Sequence, residues 1–256
     1  MSVLHWHHPE EKAWLSYTSG EGWSGWTDEN LAEAKVQGEW RPWSTVVDHS
    51  EAPYVRWFVG ASTNAAFNET DRYVLMGLDA EDALIAEPEK GDTIKVQRST
   101  LLRDSVLAAQ CMRSDLELAQ GDRVAILLPN GPSAVVWIEA AKRSAVVFCA
   151  VAAGTASNSV ASRITDTMSN WLITAENVLP TATPAAEIAA EKIPQLKGMI
   201  AEPEEVTAEL PTGWLIASNL LADKRKMVEA MSFGETGVSL VRSLWTLVPP
   251  VPVDAS

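Results

Sequence analysis

Cationic side chains and cysteines are scarce in this chain of 256 residues. Lys and Arg number 20 against 34 Asp and Glu, which gives a formal net charge of −14. That balance repels phosphate backbones and anionic lipid, and no basic cluster offsets it locally, so neither nucleic acid nor an acidic membrane is an expected partner. Long apolar runs are also missing. The longest uncharged one, Ser144 to Gly154, falls well short of the roughly 20 residues that a membrane-spanning helix needs. Residues 1–10 have no apolar core of the kind found in a secretory signal, so the expected location is the cytoplasm or the interior of an organelle. Only two cysteines occur, Cys111 and Cys149. They fall in a predicted helix and a predicted strand, where free buried thiols in a reducing compartment are expected rather than a disulfide or a reactive thiol.

What is abundant is apolar surface and tryptophan. A hydrophobic content of 46% over 256 residues is enough to bury a core, as one large domain or two small ones. Seven of the eleven tryptophans (Trp6, Trp14, Trp23, Trp26, Trp40, Trp43 and Trp57) precede residue 58, among Gly, Ser and Pro and without a sustained period. This predicts an irregular wrapping segment whose indoles pin it to a neighbouring surface. Base stacking is the other use of such rings, but no basic residues stand beside them.

Hydrophobic periodicity then takes over. Asn64 to Leu75 reads as a short helix. Ser99 to Leu118 places Leu101, Leu102, Val106, Ala109 and Met112 on one helical face, ended by the Gly121-Asp122 turn. Val124 to Leu128 is a continuous apolar run, the mark of a strand covered on both sides. A helix over Pro132 to Arg143, a strand over Ala145 to Val151, a helix over Ser157 to Met168 and a strand over Trp171 to Thr174 follow. Alternation at this spacing predicts parallel βαβ units in a doubly wound sheet. After Pro180 the pattern loosens into prolines and short helices at Ala185 to Lys192 and Leu215 to Met231. The tail VPPVPVDAS cannot supply a central strand, because prolines 249, 250 and 252 remove ladder donors.

Four segments carry a family likeness. They are WFVGASTNAAFNETDRYVL (Trp57 to Leu75), KGDTIKVQRSTLL (Lys90 to Leu102), GDRVAILLPN (Gly121 to Asn130) and EAAKRSAVVF (Glu139 to Phe148). In this order and spacing the chain resembles the AMP-forming acetyl- and propionyl-CoA synthetases, with the ligase domain of multidomain propionyl-CoA synthase most similar. The resemblance implies the N-terminal half of an adenylate-forming ligase domain: an α/β fold with parallel βαβ units, a Trp-rich lead-in and a helical appendage. The expected divisions are a wrapping segment (1–57), an α/β synthetase-like subdomain (58–180) and a helical, Pro-rich appendage and tail (181–256).

The chemistry of such ligases needs a Gly- and Ser/Thr-rich loop that holds ATP phosphates through backbone N–H groups, with Lys and Mg²⁺ to offset charge. In the resembling family it reads roughly T-S-G-S-T-G-x-P-K-G. No such loop occurs here. Ser19 to Gly22, Gly60 to Ser62 and Gly234 to Gly237 lack the following Lys and read as ordinary turns. The tail Leu244 to Ser256 resembles the segment that precedes that loop in the family.

On the CoA side, the resemblance implies that a Gly-Gly-Phe-Ser turn and a helix ending in Asp-Arg-Ile border the thioester-forming site. Here the turn is Ala153-Gly154-Thr155-Ala156 and the helix ends Ser162-Arg163-Ile164. Gly154 and Arg163 are thus the candidate CoA-binding residues of an eroded site, with a solvent-exposed or salt-bridged Arg163 as the plain alternative. Alanine in place of the first glycine crowds a ligand there. No catalytic residue and no metal ligand is assigned. His5, His7 and His8 lack the Cys or carboxylate spacing of a metal site, and His49 has no nucleophile to serve. Asp71-Arg72 is expected to form a structural ion pair or to cap the lead-in helix. Glu10-Glu11, Glu81-Asp82 and Glu204-Glu205 read as solvated surface, not as an acid/base dyad.

The reading that follows is a degenerate synthetase-like chain serving as a non-catalytic structural or interaction subunit beside other proteins, with no cofactor of its own. The alternative is a piece of an active short-chain acyl-CoA synthetase, acting on propionate or 3-hydroxypropionate with ATP, Mg²⁺ and CoA.

Overall fold

A computed structural model describes residues 44–60, 62–88, 91–230 and 253–254 of the chain. Six of the seven early tryptophans, His5, His7, His8 and the turns at residues 19–22 and 234–237 lie outside the described residues. Trp57, the seventh, is 45% exposed.

The described chain opens with an antiparallel ribbon of β1 (Thr45–Asp48) and β2 (Arg56–Val59), with Val47 opposite Trp57. An exposed Arg56 to Asp48 ion pair of 2.7 Å spans it. Gly60 turns the chain at φ +79°, the left-handed conformation that glycine adopts without strain. Strand β3 (Ser62–Thr63) pairs antiparallel with residues 253–254, bringing the end of the chain back to the lead-in. Asn64 then starts the lead-in helix, its Oδ1 accepting the Phe67 backbone N–H at 3.1 Å. The helix runs through a wide π turn (Phe67–Asp71) into α1 (Arg72–Leu75).

A hairpin not anticipated from the pattern follows: β4 (Asp82–Ala86) against β5 (Ile94–Gln97). Helix α2 (Arg98–Ser114) buries the expected Leu101, Leu102, Val106, Ala109 and Met112. It stops four residues before Leu118, because Glu117 turns left-handed (φ +55°) and the Leu118 N–H bonds back to the Met112 carbonyl at 2.9 Å.

Next come β6 (Arg123–Leu128), α3 (Pro132–Arg143), β7 (Val147–Ala152), α4 (Ser157–Thr167) and β8 (Trp171–Ala175), the predicted alternation. Strand β7 starts two residues late. Ala145 is at φ +53° and the Val146 N–H returns to the Ala141 carbonyl, so residues 145 and 146 close α3 instead.

After a short 3₁₀ turn, α5 (Leu179–Ala190) begins six residues earlier than expected and contains Pro184. Burial of Leu179, Ala182, Ala185 and Ala189 outweighs the missing donor. Strands β9 (Lys197–Glu202) and β10 (Leu215–Ile216) also escaped the sequence reading, and α6 (Ala217–Ala230) follows them. The segment after residue 180 therefore contributes strands as well as helices. The last strand, β11 (Val253–Asp254), is the partner of β3 and not of the central sheet, in line with the expectation for the tail.

The central sheet is wholly parallel, in the order β10-β9-β8-β6-β7. Helices α2, α3 and α6 pack on one face, with α4 and α5 against each other on the other. Val124 to Leu128 and Trp171 to Ala175 are buried throughout, so the core lies along β6 and β8.

The lead-in helix is locked to this body by an ion pair that departs from expectation. Asp71 does not pair with Arg72. Its carboxylate accepts from the guanidinium of Arg143, at the end of α3, and both side chains are fully buried. Arg72 instead lies over the Tyr73 ring at 5.1 Å.

Candidate functional site

In an open parallel sheet, ligands enter at the carboxyl ends of the strands, where the strand order reverses. Here β6 is followed in sequence by β7 on one side and then by β8 on the other, so the crevice lies beyond Leu128 and Ala175. It is built from the Asn130-Gly131 turn and the start of α3, from Ala153 to Ala156 before α4, and from residues following β8 and β9.

Carboxylates dominate this edge. Glu176, just after β8, accepts the Thr207 backbone N–H at 2.7 Å and the Thr207 hydroxyl at 3.0 Å, and also the Ala208 N–H. These backbone bonds, followed by the Thr207 hydroxyl, hold its carboxyl below the usual range. Glu202, the last residue of β9, is pushed above the usual range by burial, while a hydrogen bond from Ser133 in the first turn of α3 opposes the shift. Gly131 itself has no side chain with which to cap α3. Glu204 accepts from the Arg225 guanidinium of α6. A cavity of about 250 Å³ opens among these elements, lined by Thr100, Asp104, Ser133, Trp137, Glu202 and Arg225. A second, of about 370 Å³, lies between the β4–β5 hairpin and the β6–α3 turn, lined by Leu84, Ile85, Ile94, Asn130 and Pro132.

The two residues proposed for CoA lie at one side of this edge. Gly154 is exposed, and a Cβ built there meets nothing within 4 Å. Ala153 is partly buried and packs against the core. Arg163 is exposed on α4, six residues and therefore about 9 Å along the axis from the first helical residue. Its side chain has no ion-pair partner among the described residues. Gly154 and Arg163 are thus both exposed to solvent. The sequence reading missed Glu176, Glu202 and Ser133, and no local signal announces them: each gains its partner across tens of residues.

Elsewhere the thiols are quiet. Cys111 is buried, and burial, followed by the nearby Asp115, pushes its thiol up to about 12; Cys149 is half-buried and also free. Among the described residues there is no group of three His, Cys, Asp or Glu able to hold a metal ion. Among them also, no helix is long and apolar enough to cross a membrane.

This architecture is the N-terminal part of an adenylate-forming ligase fold. Its central sheet and helices superpose on acetoacetyl-CoA synthetase from Streptomyces lividans with a TM-score of 0.57 at 24% identity, covering 76% of this chain and 31% of that one. Sequence agrees with fold. The family described as acetyl-coenzyme A synthetase N-terminus matches residues 32–68. Acetyl-coenzyme A synthetase of Mycobacterium bovis is 39% identical over 136 residues, which is 53% of this chain and 21% of that protein. The enzyme of the same name from Mycolicibacterium smegmatis is 34% identical over 173 residues, 66% of this chain and 18% of that protein. The chain is therefore acetyl-CoA synthetase-like and corresponds to the N-terminal region of such ligases. It spans about a fifth of the length of the curated relatives it matches.

Proposed function

We propose that these residues form a non-catalytic, synthetase-like subunit that serves a larger protein assembly as a structural or interaction component. The observation that carries this reading is the charge of the carboxyl edge. Glu176, Glu202 and Glu204 stand where a phosphate-rich cofactor would enter, and Arg225, the cation lining the cavity beside Glu202, is already bound to Glu204. Desolvating phosphates against such a surface is unfavourable. The Gly154 turn offers no cradle either, since its Cβ position is open and Arg163 is exposed on α4. The residues present therefore do not fit ATP or CoA. Among the described residues strand β7 pairs on one side only, with β6, and such an edge, with Val147 53% exposed, suits a protein neighbour. Soluble partner subunits in a reducing compartment are the expected company.

A second reading rests on length. Because the chain matches about a fifth of each relative, its residues also suit the N-terminal region of a working AMP-forming ligase. A short acid such as propionate or 3-hydroxypropionate would be the substrate, as in the propionyl-CoA synthase ligase domain, with ATP, Mg²⁺ and CoA bound by residues elsewhere.

ATP–pyrophosphate exchange with short acids, together with intact mass under denaturing and native conditions, separates the two. The subunit reading expects no exchange and a denatured mass near 27.8 kDa inside a heavier native particle. Exchange above background with propionate, or a much longer polypeptide at source, overturns it.

A further inference from the structure

The lead-in helix meets α3 at a second place besides the Asp71–Arg143 pair, and there the charges do not balance. Glu139 of α3 has a side chain only 5% exposed. Its Oε1 accepts from the Lys142 ammonium at 2.8 Å, whereas its Oε2 is sealed from solvent without a hydrogen-bond partner. The same ammonium donates to Glu69 Oε2 at 2.6 Å, and Glu69 lies in the wide turn of the lead-in helix. One cation thus serves two carboxylates, one of them buried. Among the described residues no further charge completes the balance. Arg143 is bound to Asp71, and helix α2, packed along α3, presents no charged group that acts on Glu139.

A proton resolves both defects. Carried on Glu139 Oε2, it removes the uncompensated buried charge and converts an orphaned acceptor into a donor, beside a Glu69 carboxylate that shares the Lys142 ammonium with it. We propose that Glu139 and Glu69 hold one proton between them beside Lys142, and that this shared proton clamps the lead-in helix to the α/β body.

The electrostatics agree with that geometry. Burial pushes the Glu139 carboxyl up to about 7; Lys142 opposes the shift, and Glu69 adds to it by both charge and hydrogen bonding. Lys142 stays the cation: burial disfavours its ammonium, but the bonds to Glu139 and Glu69 more than restore it. The folded carboxyl thus lies above its ordinary value of 4.5, so the folded chain holds a proton that the unfolded chain releases. The stabilisation is complete below that ordinary value and is lost as pH rises through about 7. Near neutrality the clamp is poised between closed and loosened.

Carboxyl-carbon NMR of the full chain tests this directly. Glu139 is expected to titrate near 7, and Glu69→Gln is expected to bring its midpoint down by removing the second carboxylate. Amide exchange supplies the conformational arm. Protection over residues 67–75 is expected to fall as pH rises through that midpoint in the parent chain and to be flat in Glu139→Gln, which mimics the protonated acid. Titration of Glu139 at an ordinary carboxylate pH, or an upward-shifted midpoint that Glu69→Gln leaves in place, overturns the shared proton. Helix protection indifferent to pH in the parent chain overturns the clamp. If Glu139→Gln fails to fold, the parent titration and its Glu69→Gln counterpart still decide.

Discussion

Asp71 and Arg143 are 72 residues apart in sequence, yet they form a buried ion pair with no solvent exposure on either side chain. Neighbouring polar groups support the pair, although Arg143 Nε is left without a hydrogen-bond partner. Thr70 Oγ1 accepts from Arg143 at 3.1 Å and donates to Asp71 at 2.7 Å, and the Asn64 amide reaches the Arg143 carbonyl at 3.4 Å. One arginine at the end of α3 thereby gathers the cap, the turn and the acid of the lead-in helix.

Removing one member of such a pair strands the other charge. Asp71→Asn is expected to cost about 3–5 kcal/mol. Asp71→Leu combined with Arg143→Met is expected to recover most of that loss, since neither charge then remains buried. Urea unfolding of Asp71→Leu alone, Arg143→Met alone and the double provides the cycle; strictly additive losses would mean that the two side chains do not act as a pair.

Gly198 in β9 is fixed by Trp214. A Cβ at that position would lie 2.2 Å from two ring atoms of the indole, which covers the strand at the point where β10 approaches. Gly198→Ala is expected to lower stability by roughly 1–3 kcal/mol through overpacking. Shortening the indole to Leu in the same chain should return part of it. Thermal melts of the single and the double distinguish this clash from a general intolerance of β9.

The two thiols should label at different rates. Burial and the adjacent Asp115 hold Cys111 at about 12, so it carries almost no thiolate at neutral pH, while Cys149 is partly accessible. Alkylation followed by peptide mass mapping is expected to modify Cys149 first and Cys111 only on unfolding. Equal rates in the folded chain would contradict the packing of α2.

Glu202 offers a titration at the carboxyl edge. Its folded carboxyl is raised by burial, so its contribution to stability is present at acid pH and is lost as pH rises through the raised value. Ser133 opposes the shift, so Ser133→Ala is expected to move the Glu202 midpoint further upward in carboxyl-carbon NMR. An unmoved midpoint would remove that hydrogen bond from the account of the carboxyl edge.

Much of this was written locally. The bounds of α3 match the apolar period and Pro132 residue for residue, and β6 and β8 are apolar runs too short and too continuous to be surface helices. Parallel pairing followed from the alternation, because a helix between two strands of one sheet returns the chain so that both run in the same direction. The family likeness was legible for the same reason: it rests on short contiguous strings, and matching residues 32–68 needs no folded chain.

What the chain alone left undecided depends on partners distant in sequence. Strand β9 contains a glycine and polar ends, and it becomes a strand because β8 pairs along it and Trp214 covers it. Pro184 should interrupt a helix, yet α5 runs through it because its alanine face is buried against the fold. Asp71 has an arginine as its next neighbour and pairs with Arg143 instead, and Glu139 becomes an unusual acid only where burial, joined by Glu69, raises it against the pull of Lys142. Local propensity and periodicity determine which segments are helices and strands, since those forces act over a few residues. The pairing of charges and the acid-lined edge are decided by which surfaces exclude water together, and that exists only once the sheet is assembled.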